Sequence, residues 1–290
     1  MNQPVLVSVL MTAYNRENYI AEAIESVLAS TFEDFELIIV DDCSTDKTVE
    51  IAKAYADKDQ RIRLHINTEN LGDYPNRNRA ASYAQGELLM SVDSDDKLFP
   101  DSMKYIVEGF MHYPEVSFGI IDSEVSQLNM VQNYYLIKDP VVSIKEHFFK
   151  KPTLIRGPGG SVIRKEFFTK IGGFPVLYGP ANDMFYNLIA ASNSKTLYFG
   201  YHFLFYRIHT GQERNNQKSY IVNNFMYLKD FISRSDTILK TNEKNIILKN
   251  NARRFLLNTL KYLIQQRSIS EFFGFYRRVG FSISDLKILF

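Results

Sequence analysis

The stretch SVDSDDKLFP, residues 91–100, places Asp93, Asp95 and Asp96 within four positions. Carboxylates this close repel one another and stay ionised together only if a cation offsets the repulsion. A second acidic pair, Asp41–Asp42, ends the apolar run FELIIV. Hard divalent ions suit carboxylate oxygen, and magnesium-type sites keep one or two protein carboxylates and complete their shell with water and substrate phosphates. The chemistry implied is a Mg2+ or Mn2+ ion bridging protein carboxylate and a diphosphate. Acids after a strand also cap turns. For Asp96, just before KLFP, capping is as good a reading as metal work. Asp95, flanked by acids on both sides, is better explained by function.

Elements that could position these acids alternate along the first hundred residues. VLVSVLMT (5–12) is a β-rich apolar run. In ENYIAEAIESVLAS (17–30), Ile20, Ala23, Ile24, Val27 and Leu28 recur at helical spacing. FELIIV (35–40) reads as a strand, and STDKTVEIAKAYA (44–56) as a helix whose opening Ser, Thr and Asp can cap its free N–H groups. IRLHI (62–66) is a third strand, PNRNRAASYAQ (75–85) a helix with Gly86 beyond it, and ELLMSV (87–92) a fourth strand. Strand–helix alternation implies a parallel sheet, because parallel strands need crossovers. Ligands of such sheets bind beyond the carboxyl ends of the strands, where strand order reverses. Polar clusters stand at those ends: Thr12–Asn15, Asp41–Asp42 and Asp93–Asp96. With a strand order of 3-2-1-4, they converge.

The chain has 290 residues, enough for one large domain or two small ones, and 45% apolar content, ordinary for a protein with a buried core. A net charge of +1 excludes a nucleic-acid polycation. Charge is unevenly placed: residues 1–214 carry −7 and residues 215–290 carry +8, which sets a boundary near 215, within the polar stretch TGQERNNQKS (210–219). The single cysteine, Cys43, excludes an internal disulfide and fits a reducing, cytoplasmic compartment. No basic residue precedes the first apolar run, which reads as a strand rather than a signal peptide. No stretch reaches the ~18 apolar residues of a membrane-spanning helix.

Taken together, VSVLMTAYNRENYIAEAIESVLASTFEDFELIIVDDCSTDKT and NLGDYPNRNRAASYAQGELLMSVDSDDKLFP resemble the family 2 glycosyltransferases of the GT-A fold. The likeness is strong over residues 5–110 and continues more weakly to about 210. It implies an α/β fold with a mostly parallel central sheet flanked by helices. It divides the chain into a catalytic domain (1–214: nucleotide-binding half 1–100, acceptor half 101–214) and a helical, basic and aromatic C-terminal region (215–290). By resemblance, Thr12, Ala13 and Tyr14 hold the nucleotide base, with the Tyr14 ring available to stack. Asp42 accepts from the base N3–H, while Asp41 supports the loop. Arg77 lies near base and phosphates, Asp93 and Ser94 near the ribose, and Asp95 ligates Mn2+ or Mg2+. In GPANDMFYNLIAA (179–191) the usual acidic pair is Asn182–Asp183, and Asp183 matches the general base. The missing acid at 182 should make ionisation of Asp183 easier. YRIHTG (206–211) resembles an Arg-x-His ending, with His209 at the metal or diphosphate and Arg207 supporting it. Gly172 and Gly173 read as tight turns.

The activity implied is inverting transfer of a sugar from a nucleotide-diphospho-sugar, UDP favoured by resemblance alone, to a hydroxyl of a glycan or lipid-linked glycan acceptor. A non-catalytic sugar-nucleotide-binding scaffold on the same fold is the alternative, motivated by Asn182. A nicotinamide-dependent oxidoreductase is disfavoured because no G-x-G-x-x-G follows the first strand. Residues 220–240 and 245–267 read as amphipathic helices, and 270–290 is aromatic and basic. Such segments can pack on the catalytic domain, join a second subunit, or lie peripherally on the inner face of a membrane. Packing suits 220–267 best, and the last twenty residues are the better membrane or partner candidates.

Overall fold

Strand β1 (Val7–Ala13) shows how the core is laid out. Val7, Val9, Met11 and Ala13 point into one hydrophobic cluster, and Leu10 points into another on the opposite face, as the two-residue period of a strand requires. The computed structural model describes residues 7–121, 135–200, 203–209 and 217–280. Residues 5–6 and 281–290 of the stretches read above, and most of the 210–219 join, lie outside them.

After β1 come α1 (Ile20–Leu28), β2 (Phe35–Asp41), α2 (Thr48–Ala56), β3 (Ile62–Ile66), α3 (Asp73–Tyr83) and β4 (Leu88–Ser91). The alternation read from the sequence is present, with ends shifted by a few residues. The largest shift is at α2, which begins at Thr48 rather than residue 44. Ser44, expected to cap it, ties two loops together instead, and Asp46 both joins the loops and accepts from the first N–H of the helix. Ser44 Oγ accepts from Asn15 N at 2.9 Å, and Asp46 accepts from Glu17 N at 3.1 Å as well as from Thr48 N.

The chain continues through β5 (Lys97–Leu98), α4 (Ser102–His112), β6 (Phe118–Ile121), β7 (Tyr135–Lys138), α5 (Pro140–Phe149), β8 (Ser161–Arg164), α6 (Lys165–Lys170), α7 (Asn182–Asn193), β9 (Thr196–Phe199) and β10 (Leu204–Phe205). Among the described residues the main sheet has eight strands in the order β3-β2-β1-β4-β8-β6-β9-β7. The expected 3-2-1-4 order is therefore its first half. The β3-β2, β2-β1, β1-β4 and β6-β9 ladders are parallel, and β8 and β7 run against their neighbours. Gly172 and Gly173, after α6, have φ of 89° and 71°, the left-handed region a tight turn requires.

Three helices complete the described chain: α8 (Gln217–Ser233), α9 (Thr241–Gln266) and α10 (Ile269–Val279). Tyr227, Leu228, Phe231 and Ile232 of α8 enter the same cluster as β1 Leu10 and β2 Ile38. Val222 and Phe225 of α8 meet Ala252 and Phe255 of α9 and Phe275 and Val279 of α10 in a smaller cluster of their own. Among the described residues no helix is long and apolar enough to cross a membrane.

Phe231 is 1% exposed and packs against Phe148 of α5 and Phe185 of α7. Phe231→Ala is expected to cost roughly 3–5 kcal/mol, the range for truncating a buried aromatic. Urea unfolding should show this as a shift of one cooperative transition. Two separate transitions would mean that the C-terminal helices fold apart from the sheet.

Candidate functional site

The carboxyl ends of β1, β2 and β4 open into a groove of about 740 Å3. Its lining brings together Thr12, Ala13, Tyr14, Asp42, Arg77, Asp93, Ser94, Asp95 and Asp183. His209 stands at its edge through Asp95: the ring Nε2 is 2.9 Å from Asp95 Oδ2. These nine residues and His209 are thus at one place.

The three strand-end loops are stitched together. Asp42 N donates to Ala13 O at 2.8 Å, and Ser94 Oγ donates to Thr12 O at 2.8 Å. Asn15 Oδ1 accepts from Thr45 N at 2.9 Å. Asn15 and Cys43 hold φ of 51° and 67°, a left-handed conformation that costs a non-glycine residue energy and persists where its surroundings enforce it. Asp41 holds its own loop by accepting from Ser44 N at 2.8 Å. Tyr14 is 45% exposed, its ring open to a stacking partner.

Each acid meets its electrostatic problem differently. Asp42 is buried and accepts from Asn67 Nδ2, Leu71 N and Gly72 N at 2.8–2.9 Å. Gly72 has φ of 86°, a conformation that presents its N–H to this carboxylate and excludes most other residues. Arg77 is buried and sits between two acids. Its NH1 donates to Asp93 Oδ1 at 2.6 Å, and its Nε lies 2.8 Å from Asp73 Oδ1, in ion-pair range but out of line for a hydrogen bond. Asp73 lies on the groove wall with 56% of its side chain open, yet protein crowds it on the remaining sides. That lost hydration raises its carboxyl pKa, and Asp93 and Asp42 add to the rise while Arg77 opposes it.

Asp95 accepts from Arg16 Nε at 3.0 Å on the oxygen that also faces His209. The His209 ring stacks on Tyr19, centroids 5.0 Å apart. Arg207 braces the loop, its backbone N–H donating to Asp96 Oδ1 and its Nε to Asp95 O, both at 2.9 Å. Asp93, Asp95 and Asp96 can each present a carboxylate oxygen within 4.8 Å of the others. Burial lifts the Asp96 pKa to about 7, and the charges of Asp93 and Asp95 push the same way. This all-carboxylate donor set is the hard-oxygen chemistry that Mg2+ and Mn2+ take.

Asp183 stands in the first turn of α7, buried, with Oδ1 accepting from Met184 N at 2.6 Å. Its own N–H donates to Tyr74 Oη at 3.3 Å. Burial lifts its pKa to about 7; Met184 N–H and the Arg77 charge lower it, and Asp73 raises it. The absence of an acid at 182 therefore does not leave Asp183 readily ionised, because desolvation outweighs it. Asn182 Oδ1 instead accepts from Tyr178 N at 2.9 Å and fixes the turn into α7.

A model of the family described as "Glycosyl transferase family 2" matches residues 8–172, more than half of the chain. The chain belongs to glycosyl transferase family 2. Among curated relatives, the putative teichuronic acid biosynthesis glycosyltransferase TuaG of Bacillus subtilis is 41% identical over 110 residues, 38% of this chain and 44% of that protein. An uncharacterized glycosyltransferase of Haemophilus influenzae is 33% identical over 135 residues, 45% of this chain and 54% of that one. The chain thus spans about half the length of the curated relatives it matches. Of solved structures, S. aureus TarS 1–349 in complex with UDP-GlcNAc superposes with a TM-score of 0.67 at 20% identity, covering 98% of this chain and 78% of TarS 1–349. The mannosyltransferase PcManGT from Pyrobaculum calidifontis, in complex with GDP-Man and Mn2+, gives 0.59 at 12%, covering 99% and 84%. At such identities the likeness is one of fold, the GT-A fold.

For this family 2 chain, sequence reasoning missed Arg16, Asp73, Tyr74, Ser219 and Tyr220, all of which line the groove. Asp73 had a signal, its four-residue spacing from Arg77 on one helix face. Arg16 had a weaker one, a cation two residues past Tyr14. Ser219 and Tyr220 had none, since α8 reaches the groove only by packing.

Arg77→Met should leave Asp73 and Asp93 without their shared cation. The expected loss is roughly 3 kcal/mol, the low end for removing one partner of a buried pair, because both acids are partly open to the groove. Urea unfolding should find the loss smaller at acid pH, where carboxylates are neutral. A loss independent of pH would point to packing instead.

Proposed function

We propose that the groove transfers a sugar from a UDP-sugar to an acceptor hydroxyl with inversion at the anomeric carbon, assisted by Mn2+ or Mg2+. The observation that carries this reading is a carboxyl with a pKa of about 7, Asp183, lining the same groove as the acidic cluster of β4. TarS, named as a poly(ribitol-phosphate) beta-N-acetylglucosaminyltransferase and solved with UDP and UDP-GlcNAc, supports the choice of uridine. PcManGT, solved with Mn2+, supports the metal.

In this reading Thr12, Ala13 and Tyr14 receive the base, and the Tyr14 ring stacks on it. Asp42, locked by three N–H donors, faces the base N3–H. Ser94 and Asp93 stand at the ribose, and Arg77 holds Asp93 in place. Asp95 and Asp93 are the ligand candidates, with Asp96 and His209 behind them. A divalent ion bound there supplies Lewis-acid stabilisation of the charge that develops on the leaving diphosphate.

The acceptor oxygen attacks the anomeric carbon from the face opposite the diphosphate. Its proton passes to Asp183 as the bond to the diphosphate oxygen breaks. A pKa of about 7 suits this task, since a base is most effective near the working pH. The groove's like charges also resist an incoming diphosphate, so a cation is needed for the donor to bind well. The acceptor we propose is a glycan or lipid-linked glycan, in keeping with TuaG, which is named for teichuronic acid biosynthesis.

Asp183→Asn should reduce transfer by roughly 10²–10⁴-fold, the range for a positioned proton acceptor, while UDP binding by calorimetry is retained. The sign of the pH effect follows from the raised pKa. Asp183 is protonated and inactive below about 7, so kcat/KM should climb through that pH and level off above it. The climb should vanish in the residual activity of Asp183→Asn, and an unchanged profile would remove Asp183 from the base role. Chelation with EDTA, or Asp95→Ala, should weaken UDP binding. Equal affinity with and without Mn2+ would rule out the metal.

A further inference from the structure

Helix α9 has two opposed faces. Ile247, Asn251, Phe255 and Thr259, four residues apart, are buried against the rest of the molecule. The opposite face carries Leu257, Leu260 and Ile264, with relative exposures of 66%, 39% and 76%. At one hundred degrees per residue these fall within a single stripe. Beyond the turn, α10 exposes two further apolar side chains, Ile269 at 66% and Phe273 at 59%. Basic residues flank the apolar ones: Lys261 on α9, Arg267 just past its end, and Arg277 and Arg278 on α10, all exposed. From residue 244 to 270 the sequence contains no carboxylate. The first acid after that stretch, Glu271, is held by Lys218 and by Tyr262 Oη.

We infer that this α9–α10 face docks on an anionic lipid bilayer, with Leu257, Leu260, Ile264, Ile269 and Phe273 entering the headgroup boundary and the cations meeting lipid phosphates. Apolar side chains ringed by Arg and Lys on a helix lying in the interface plane are the chemistry such a surface selects. The charge pattern decides between this and a second copy of the chain. A two-fold contact sets the same patch against itself, so among the described residues it would bring mostly cations against cations. An anionic bilayer meets the whole patch with opposite charge. The inference places the docking surface on α9 and the first half of α10, not in the last twenty residues as a whole. It holds whatever sugar the groove transfers. Because α8 packs on α9 and α10 and also lines the groove through Ser219 and Tyr220, the docked helices and the groove share one framework.

The test is co-sedimentation of the full chain with vesicles of phosphatidylcholine alone and of phosphatidylcholine with phosphatidylglycerol. Binding is expected only to the anionic vesicles and should weaken as salt rises, since the cations act within a Debye length. Lys261→Ser with Arg267→Ser should lower the partition constant by roughly 25-fold, about fivefold per cation. Leu257→Ser with Ile264→Ser should lower it about tenfold or more. All four side chains are exposed, so UDP binding and the melting temperature should not change, and a changed melt would be answered with the single substitutions. No sedimentation with anionic vesicles, or equal sedimentation with neutral ones, overturns the inference. So does a dimer in light scattering that Leu257→Ser and Ile264→Ser dissociate while vesicle binding is absent, which would assign the face to a second copy.

Discussion

The groove gathers more carboxylates than it can leave charged. Asp42, Asp73, Asp93, Asp95 and Asp183 line it, and Asp96 lies just behind. In a partly dehydrated crevice like charges cannot all persist without compensation, and the local structure reads as a set of answers to that problem. Asp42 is neutralised by N–H groups, Asp73 and Asp93 by Arg77, and Asp95 by Arg16. Burial still raises the Asp73 pKa, and Asp96 and Asp183, which have no ion pair among the described residues, rise to about 7. The acids with a cation or several N–H donors beside them are suited to hold a ligand or an ion. The ones that titrate near neutrality are suited to move a proton or to respond when a cation arrives.

This division depends on the backbone being in the right place. Parallel strands β2, β1 and β4 end side by side, which sets the three acidic loops within reach of each other. Hydrogen bonds of Asn15 with Ser44 and Thr45, and of Glu17 with Asp46, then lock loops that would otherwise be free to separate. The left-handed Asn15 and Cys43 are the conformational cost of bringing chain ends so close. From the far side, Arg207 and His209 return to the acids of the β4 loop. Residues more than a hundred positions apart thus brace the same few carboxylates.

The C-terminal helices join this arrangement in two ways. Helix α8 closes one face of the sheet with Phe231 and its neighbours, and its first residues reach the groove. Helices α9 and α10 use their buried stripes to hold α8 and leave the opposite stripe to solvent. The charge boundary near residue 215 therefore marks a change of electrostatic task more than a break in packing.

Much of this was legible in the residues themselves. Alternating strands and helices follow from hydrophobic period, whereas the 3-2-1-4 order is an assumption that the sheet bears out. Asp95 stands out because several acids crowd the strand ends together, and Asp183 stands out through the family resemblance. The sequence alone determined which side chains could carry charge and which segments had to be buried, because those depend on residue type and spacing. Only the tertiary structure decided how much charge each acid keeps. That quantity depends on burial and on partners such as Arg16, Arg77 and Met184 N–H, whose distances no spacing along the chain encodes. The same is true of Asn182, whose neutrality suggested an easily ionised Asp183 until burial was taken into account.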